Sequence, residues 1–261
     1  MTKSHSQSPG SFFKVDALGV EVYPSQAAMA LSAARTAATH LEATLASQNA
    51  AAVILASATS QIQFLDELTA AKNVDWSRIT VFHMDEYLGI TADHRASFHR
   101  FLKERVESRI RPKAIHYICG EALEPLLECE RYTRLLRAQA IDLCCLGIGE
   151  NGHVAFNDPP VANFQDPYTV KLVQLDLPCR QQQVGEGYYP SVDAVPQYAF
   201  SLTVPALCNA RKMVCVVPEK RKATAVRDTL RGPVSTACPA SYLRTQSQAT
   251  LFLDADSASL L

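Results

Sequence analysis

Leu146-Gly147-Ile148-Gly149-Glu150-Asn151-Gly152-His153-Val154-Ala155-Phe156-Asn157-Asp158-Pro159-Pro160 follows directly on the apolar run Ile141-Asp142-Leu143-Cys144-Cys145. A short apolar run bounded by glycines reads as a strand buried on both faces, the kind found in parallel sheets. The glycines allow a sharp turn and a close approach of the backbone to a ligand. His153 sits in that turn, and Asn157-Asp158-Pro159-Pro160 ends it. In an open α/β sheet, ligands bind at the carboxyl ends of the strands. This histidine is placed there.

Working outward, strands and helices alternate on both sides. Leu18 to Tyr23 reads as a first strand, and Ser25 suits the N-cap of an alanine-rich helix reaching about Ser47. Ala51 to Ala56 is an apolar run of strand length, followed by a helix from Gln61 to Ala71 with Ile62, Leu65 and Leu68 on one side. Ile79 to Met84 is a strand that ends in Asp85-Glu86-Tyr87-Leu88-Gly89. A helix from Ser97 to about Ser108, a short strand Ile115 to Ile118 and an amphipathic helix Glu121 to Gln139 lead back to the central strand. Beyond Pro160, Thr169 to Leu175 reads as a strand, and Arg180 to Ala194 as a polar, exposed lid. Tyr198 to Leu202, Lys212 to Val217 and Ala249 to Leu253 are further strands, and Glu219 to Leu230 is a helix.

This alternation predicts a mostly parallel sheet with helices on both faces. Four loops then meet at one edge: Ser57 to Ser60, Asp85 with Glu86, Glu150 to Asp158, and Lys220 to Lys222. The turn Ser57-Ala58-Thr59-Ser60 precedes a helix, where free N–H groups and the dipole favour an anion; simple N-capping would leave the same sequence. Lys220, Arg221 and Lys222 oppose the dipole of their own helix, a cost that a bound anion offsets. Asp85, Glu86 and His153 are groups able to move protons. Together these features point to a small phosphorylated substrate undergoing proton transfer.

Composition narrows the class. The 261 residues are 48% hydrophobic, with 25 basic and 26 acidic side chains. A chain of this size fits one large α/β domain, placed at 13–261 behind a frayed, serine-rich tail at 1–12. No basic excess points to nucleic acid and no apolar run is long enough for a membrane. The eight cysteines form no C-x-x-C pair, and His94 and His99 are five residues apart rather than four. These spacings give no metal site and no disulfide framework, and imply a reduced, cytoplasmic protein. Self-association into a homo-oligomer is compatible with the sequence.

Phe82-His83-Met84-Asp85-Glu86-Tyr87-Leu88-Gly89, with His94 and Ser97-Phe98, resembles the M-D-E-Y-x-G…H-x-x-S-[FY] signature of glucosamine-6-phosphate deaminases. Gly147 to Pro159 looks like the same family's G-x-G-x-D-G-H-[IV]-A-F-N-E-P, and Val195-Pro196-Gln197-Tyr198-Ala199 and Lys222-Ala223 follow in order. The wider superfamily includes 6-phosphogluconolactonases. The resemblance implies a doubly wound, mostly parallel α/β sheet, a Rossmann-like three-layer sandwich. It also implies a cofactor-free isomerase that releases ammonia from an amino-sugar phosphate. Carried over, Asp85 is the base that moves the C2 proton, His153 helps open the ring, and Glu86 stands beside the base. Phosphate is expected on Ser57, Ala58, Thr59, Ser60 and Lys222, with Lys171 and Arg180 as further candidates by position and charge. A lactonase, or a sugar-phosphate-binding protein that has lost turnover, are the alternative readings.

The chain departs from the family pattern at three places. Ser57-Ala58-Thr59-Ser60 stands where the family has T-G-G-T, Asn151 replaces an aspartate, and Asp158 replaces a glutamate. An asparagine orients an imidazole but supplies no charge. A shift of about 1 Å in a catalytic group can cost on the order of a hundredfold in rate. The acidic function of the turn is therefore expected to be rearranged, with Glu150 or Asp158 supplying the charge that Asn151 lacks.

Overall fold

A computed structural model describes residues 10–261. A hairpin of β1 (Ser11–Val15) and β2 (Leu18–Tyr23) leads into α1 (Gln26–Ser47), β3 (Ala51–Leu55), α2 (Ile62–Ala70) and β4 (Ile79–His83). Next come β5 (Asp85–Tyr87), α3 (Phe98–Leu102), β6 (Ala114–His116), α4 (Pro125–Arg137) and β7 (Leu143–Leu146). The last part runs β8 (Val170–Gln174), α5 (Leu177–Gly185), β9 (Tyr198–Leu202), α6 (Val204–Cys208), β10 (Lys212–Val217), α7 (Ala223–Arg231) and β11 (Ala249–Asp254).

The main sheet has the order β1-β2-β11-β10-β7-β3-β4-β6. Every neighbouring pair is parallel except the β1–β2 hairpin. Its central strands bury both faces, and their side chains alternate between two cores. Cys144, Cys215 and Ile54 face the core under α4, α6 and α7, while Cys145, Val214 and Val53 face the one under α1 and α2. All eight cysteines are free, and most are buried as small apolar side chains. In α1, Ser25 accepts from the Ala28 N–H, as its N-cap role requires. The buried face of α1 is almost all alanine, from Ala30 to Ala38, which lets the helix lie close on the sheet.

Three expectations change. The tail placed at 1–12 lies outside the described residues as far as residue 9, but Ser11 and Phe12 already belong to β1, paired with Val22 and Glu21. Asp85-Glu86-Tyr87 is a strand rather than a turn: it leaves the main sheet at Met84 and joins a second, antiparallel sheet of order β5-β9-β8. The segment read as an exposed lid begins in α5, whose residues Cys179, Gln182 and Gln183 are buried. Asp176 caps that helix by accepting from the Cys179 N–H.

Candidate active site

The loops at the carboxyl edge converge on one cavity. Ser57, Ala58, Ser60, Asp85, Gly149, His153, Ala155 and Lys222 line it, together with Phe98 and Phe156. Ridge and floor are aromatic. The Phe98 and Phe156 rings stack at 5.7 Å, and Tyr87 lies 5.2 Å from each.

Asp85 is carried by β5, in register with Ser201 of β9. Burial, and then the neighbouring Glu86, push its carboxyl well above the usual carboxylate range. Glu86 points the other way. It accepts from the Ser97 hydroxyl at 2.9 Å and from the backbone N–H groups of Phe98, His99 and Tyr87, so it caps α3. Burial lifts it to about 7 against the pull of those donors. Its work is to fix the strand that presents Asp85.

His153 is set by a tight turn. A Cβ at Gly149 would overlap the imidazole, so only glycine leaves room for the ring. Ala155 stands in the left-handed region at φ 48°. The turn is held there by two ties to β9: the Phe156 N–H donates to Ser201 Oγ at 3.0 Å, and Asn157 Nδ2 donates to the Leu202 carbonyl at 2.8 Å. Strain of this kind persists where the surroundings over-determine it.

The acid opposite His153 is Asp158. Its Oδ1 lies 3.0 Å from His153 Nδ1, off the line of an aligned hydrogen bond. Burial would raise Asp158, but His153 and Asn151 outweigh it and hold the carboxyl below its ordinary value. Asn151 is the hub of this group. Its Nδ2 donates to Asp158 at 2.9 Å and faces both oxygens of Asp176 at 3.3 Å, while its Oδ1 accepts the His153 N–H at 3.1 Å. An amide serves two carboxylates and one N–H at once, which a third carboxylate cannot do.

Glu150 is corrected: its carboxylate turns to Arg221 at 2.9 Å, away from His153. Lys171 and Arg180 are corrected as phosphate ligands. Lys171 Nζ is taken by Asp166 at 2.8 Å and the Val161 carbonyl at 2.7 Å. Arg180 donates to the Val192 carbonyl at 2.6 Å, because α5 directs it to the following loop. The opposite turn of the same helix delivers Gln182, Gln183 and Glu186 to the cavity, residues that sequence reasoning missed. Gln182 and Gln183 stand four and three residues before Glu186, and that helical spacing was the available signal.

Two features suit an anion. Ser57 Oγ is buried and without a hydrogen-bond partner among the described residues. Lys222 is 3% exposed, and no described carboxylate lies within ion-pair distance of it. Desolvation lowers its ammonium to about 8. Thr59 donates to Glu186 rather than lining the cavity. His153, Asp158 and Cys179 hold donor atoms within 4.8 Å of one another. Burial pushes the Cys179 thiol far up, which disfavours the thiolate a metal takes, and Asp158 is already engaged. The trio fits a hydrogen-bonded group better than a metal centre.

Residues 24–172 match the family of glucosamine-6-phosphate isomerases and 6-phosphogluconolactonases. The chain belongs to that family. It is 34% identical to a glucosamine-6-phosphate deaminase of Exiguobacterium sibiricum over 72% of this chain and 73% of that protein. It is also 34% identical to one from Halothermothrix orenii, over 76% of this chain and 82% of that protein. Among solved structures, a monomeric glucosamine-6-phosphate deaminase superposes with a TM-score of 0.85 at 29% identity, covering 93% of this chain and 99% of that one. A 6-phosphogluconolactonase from Thermotoga maritima shares the fold, with a TM-score of 0.74 at 21% identity over 91% of this chain and 99% of that one. Asn151 stands between Asp158 and Asp176, and Asp158 reaches the histidine. No helix among the described residues is long and apolar enough to cross a membrane.

Proposed function

We propose that this protein converts glucosamine 6-phosphate, or a close relative, to fructose 6-phosphate and ammonia. The observation that carries the reading is a single cavity shared by Asp85, His153, Ser57 and Lys222, with Asp158 behind the histidine. Ser57, Ala58, Ser60 and Lys222 hold the phosphate and so fix the sugar's far end. His153 carries the proton from O1 to the ring oxygen as the C1–O5 bond breaks, and Asp158 steadies the imidazolium formed on the way. Asp85 takes the proton from C2 and returns it to C1 while a proton of the C2 ammonium passes to O1, which leaves a hydroxyl at C1 and an iminium at C2. One water adds there and ammonia departs. No cofactor enters this sequence. The raised carboxyl of Asp85 suits a base that must give back the proton it takes.

The test is ammonia release from glucosamine 6-phosphate by the purified protein, with galactosamine 6-phosphate and 6-phosphogluconolactone assayed beside it. Ammonia from the first substrate is the expected result. Hydrolysis of the lactone alone would replace this reading with a lactonase in which His153 activates water. Phosphosugar binding without turnover of any of the three would leave a binding protein.

A further inference from the structure

The cavity contains an anion of the protein's own. Glu186 follows α5 directly, and its side chain is only 4% exposed. Its carboxylate accepts from Gln182 Nε2 at 2.8 Å, from Arg221 Nη1 at 3.0 Å and from Thr59 Oγ1 at 3.4 Å. A hydroxyl of the Ser57–Ser60 turn and a guanidinium from the turn before α7 are donors of the kind a phosphate takes. The inner half of the cradle, Ser57 Oγ and Lys222, is left without such a partner among the described residues.

We infer that Glu186 sets how tightly this cavity takes a phosphate: it is a built-in competitor, seated on the outer half of the cradle, that the substrate's own anion must push aside. The inference rests on the phosphate reading of the cradle. Two further observations support it. The cavity measures about 70 Å³ with Glu186 in place, whereas sites for small organic ligands usually run to about 300–1,000 Å³. Glu186, which lines the cavity, narrows the room left for a sugar phosphate. Glycines flank Glu186 on both sides, Gly187 has φ +80°, and a Cβ at either would meet nothing within 4 Å. The backbone on either side of the carboxylate therefore leaves open space where a Cβ would stand.

Electrostatics gives the sign. A phosphate on Ser57 and Lys222 brings up to two negative charges beside Glu186. Arg221 answers only in part, because Glu150 and Glu219 already draw on it at 2.9 Å and 2.5 Å. Removing one negative charge from such a poorly solvated site is worth at least about tenfold in anion affinity.

The experiment uses the full chain with Glu186→Gln and Glu186→Ala, the second guarding against a defect peculiar to the amide. Inorganic phosphate is the probe, titrated by calorimetry and as an inhibitor of turnover, with thermal melting as the check on folding. Both variants are expected to bind phosphate at least about tenfold more tightly than the parent, with KM for the sugar phosphate falling in parallel. Lys222→Met runs in the same series and should weaken phosphate binding. If Lys222→Met leaves phosphate affinity unchanged, the phosphate reading of the cradle fails. If it weakens binding while neither Glu186 variant tightens it, the cradle stands and the inference about Glu186 is overturned.

Discussion

An aspartate in place of Asn151 should damage this protein. Asn151 donates to Asp158 at 2.9 Å and faces Asp176 at 3.3 Å. Asn151→Asp keeps the acceptor for the His153 N–H but turns the donor into a third acceptor among carboxylates. Hydrogen bonds to charged partners are worth about 1.5–3 kcal/mol each. Two unit charges about 3 Å apart repel by roughly 5 kcal/mol at an effective dielectric near 20. The introduced carboxyl escapes part of that repulsion by keeping a proton, at about 1.4 kcal/mol for each unit its pKa is raised. The net loss is about 2–4 kcal/mol near pH 8. The sign with pH follows. A carboxyl whose folded pKa is raised retains its protonated stability at low pH and loses it as pH climbs through that pKa. Urea denaturation of parent and variant at pH 5 and pH 8 measures both quantities. Equal stability at pH 8, or a deficit that does not change with pH, would refute the account of Asn151 as a bridge between two acids.

Two other perturbations test the proton-handling groups. Asp85→Asn should lower kcat/KM by about 10²–10⁴-fold, the usual worth of a positioned base, with inorganic phosphate binding spared. In the parent, kcat/KM should climb as pH rises through the raised pKa of Asp85, since only the carboxylate accepts a proton; a flat profile would count against it. Gly149→Ala should cut kcat on the order of a hundredfold by displacing the imidazole. A variant with parental kcat would show that the ring need not stand where the turn places it.

The main sheet was legible because its strands are short apolar runs separated by helical periodicity. The carboxyl-edge loops followed from that, and with them Ser57, Asp85, His153 and Lys222. The second sheet was not legible. Asp85-Glu86-Tyr87 is too short and polar to announce a strand, and its partner β9 lies far along the chain. Helix α5 was hidden by glutamines that look solvated but are buried at the cavity. Lys171 and Arg180 show the limit of charge as a guide: composition gives the sign of a side chain, and only packing gives its direction. Glu150 and Asp158 were equal candidates on paper. Geometry separated them, because Arg221 claims the first and His153 the second.

Strand β9 has a consequence for precision. Asp85 pairs in register with Ser201, Ser201 Oγ accepts from Phe156 in the histidine turn, Leu202 donates to Met84, and Asn157 closes on the Leu202 carbonyl. Asp85 and the imidazole of His153 are thus both measured from one short ruler instead of along the long chain path between them. Placement errors in the intervening helices do not accumulate at the sugar. A change of the Ser201 side chain leaves that backbone pairing in place and removes the hydroxyl that ties the histidine turn to β9.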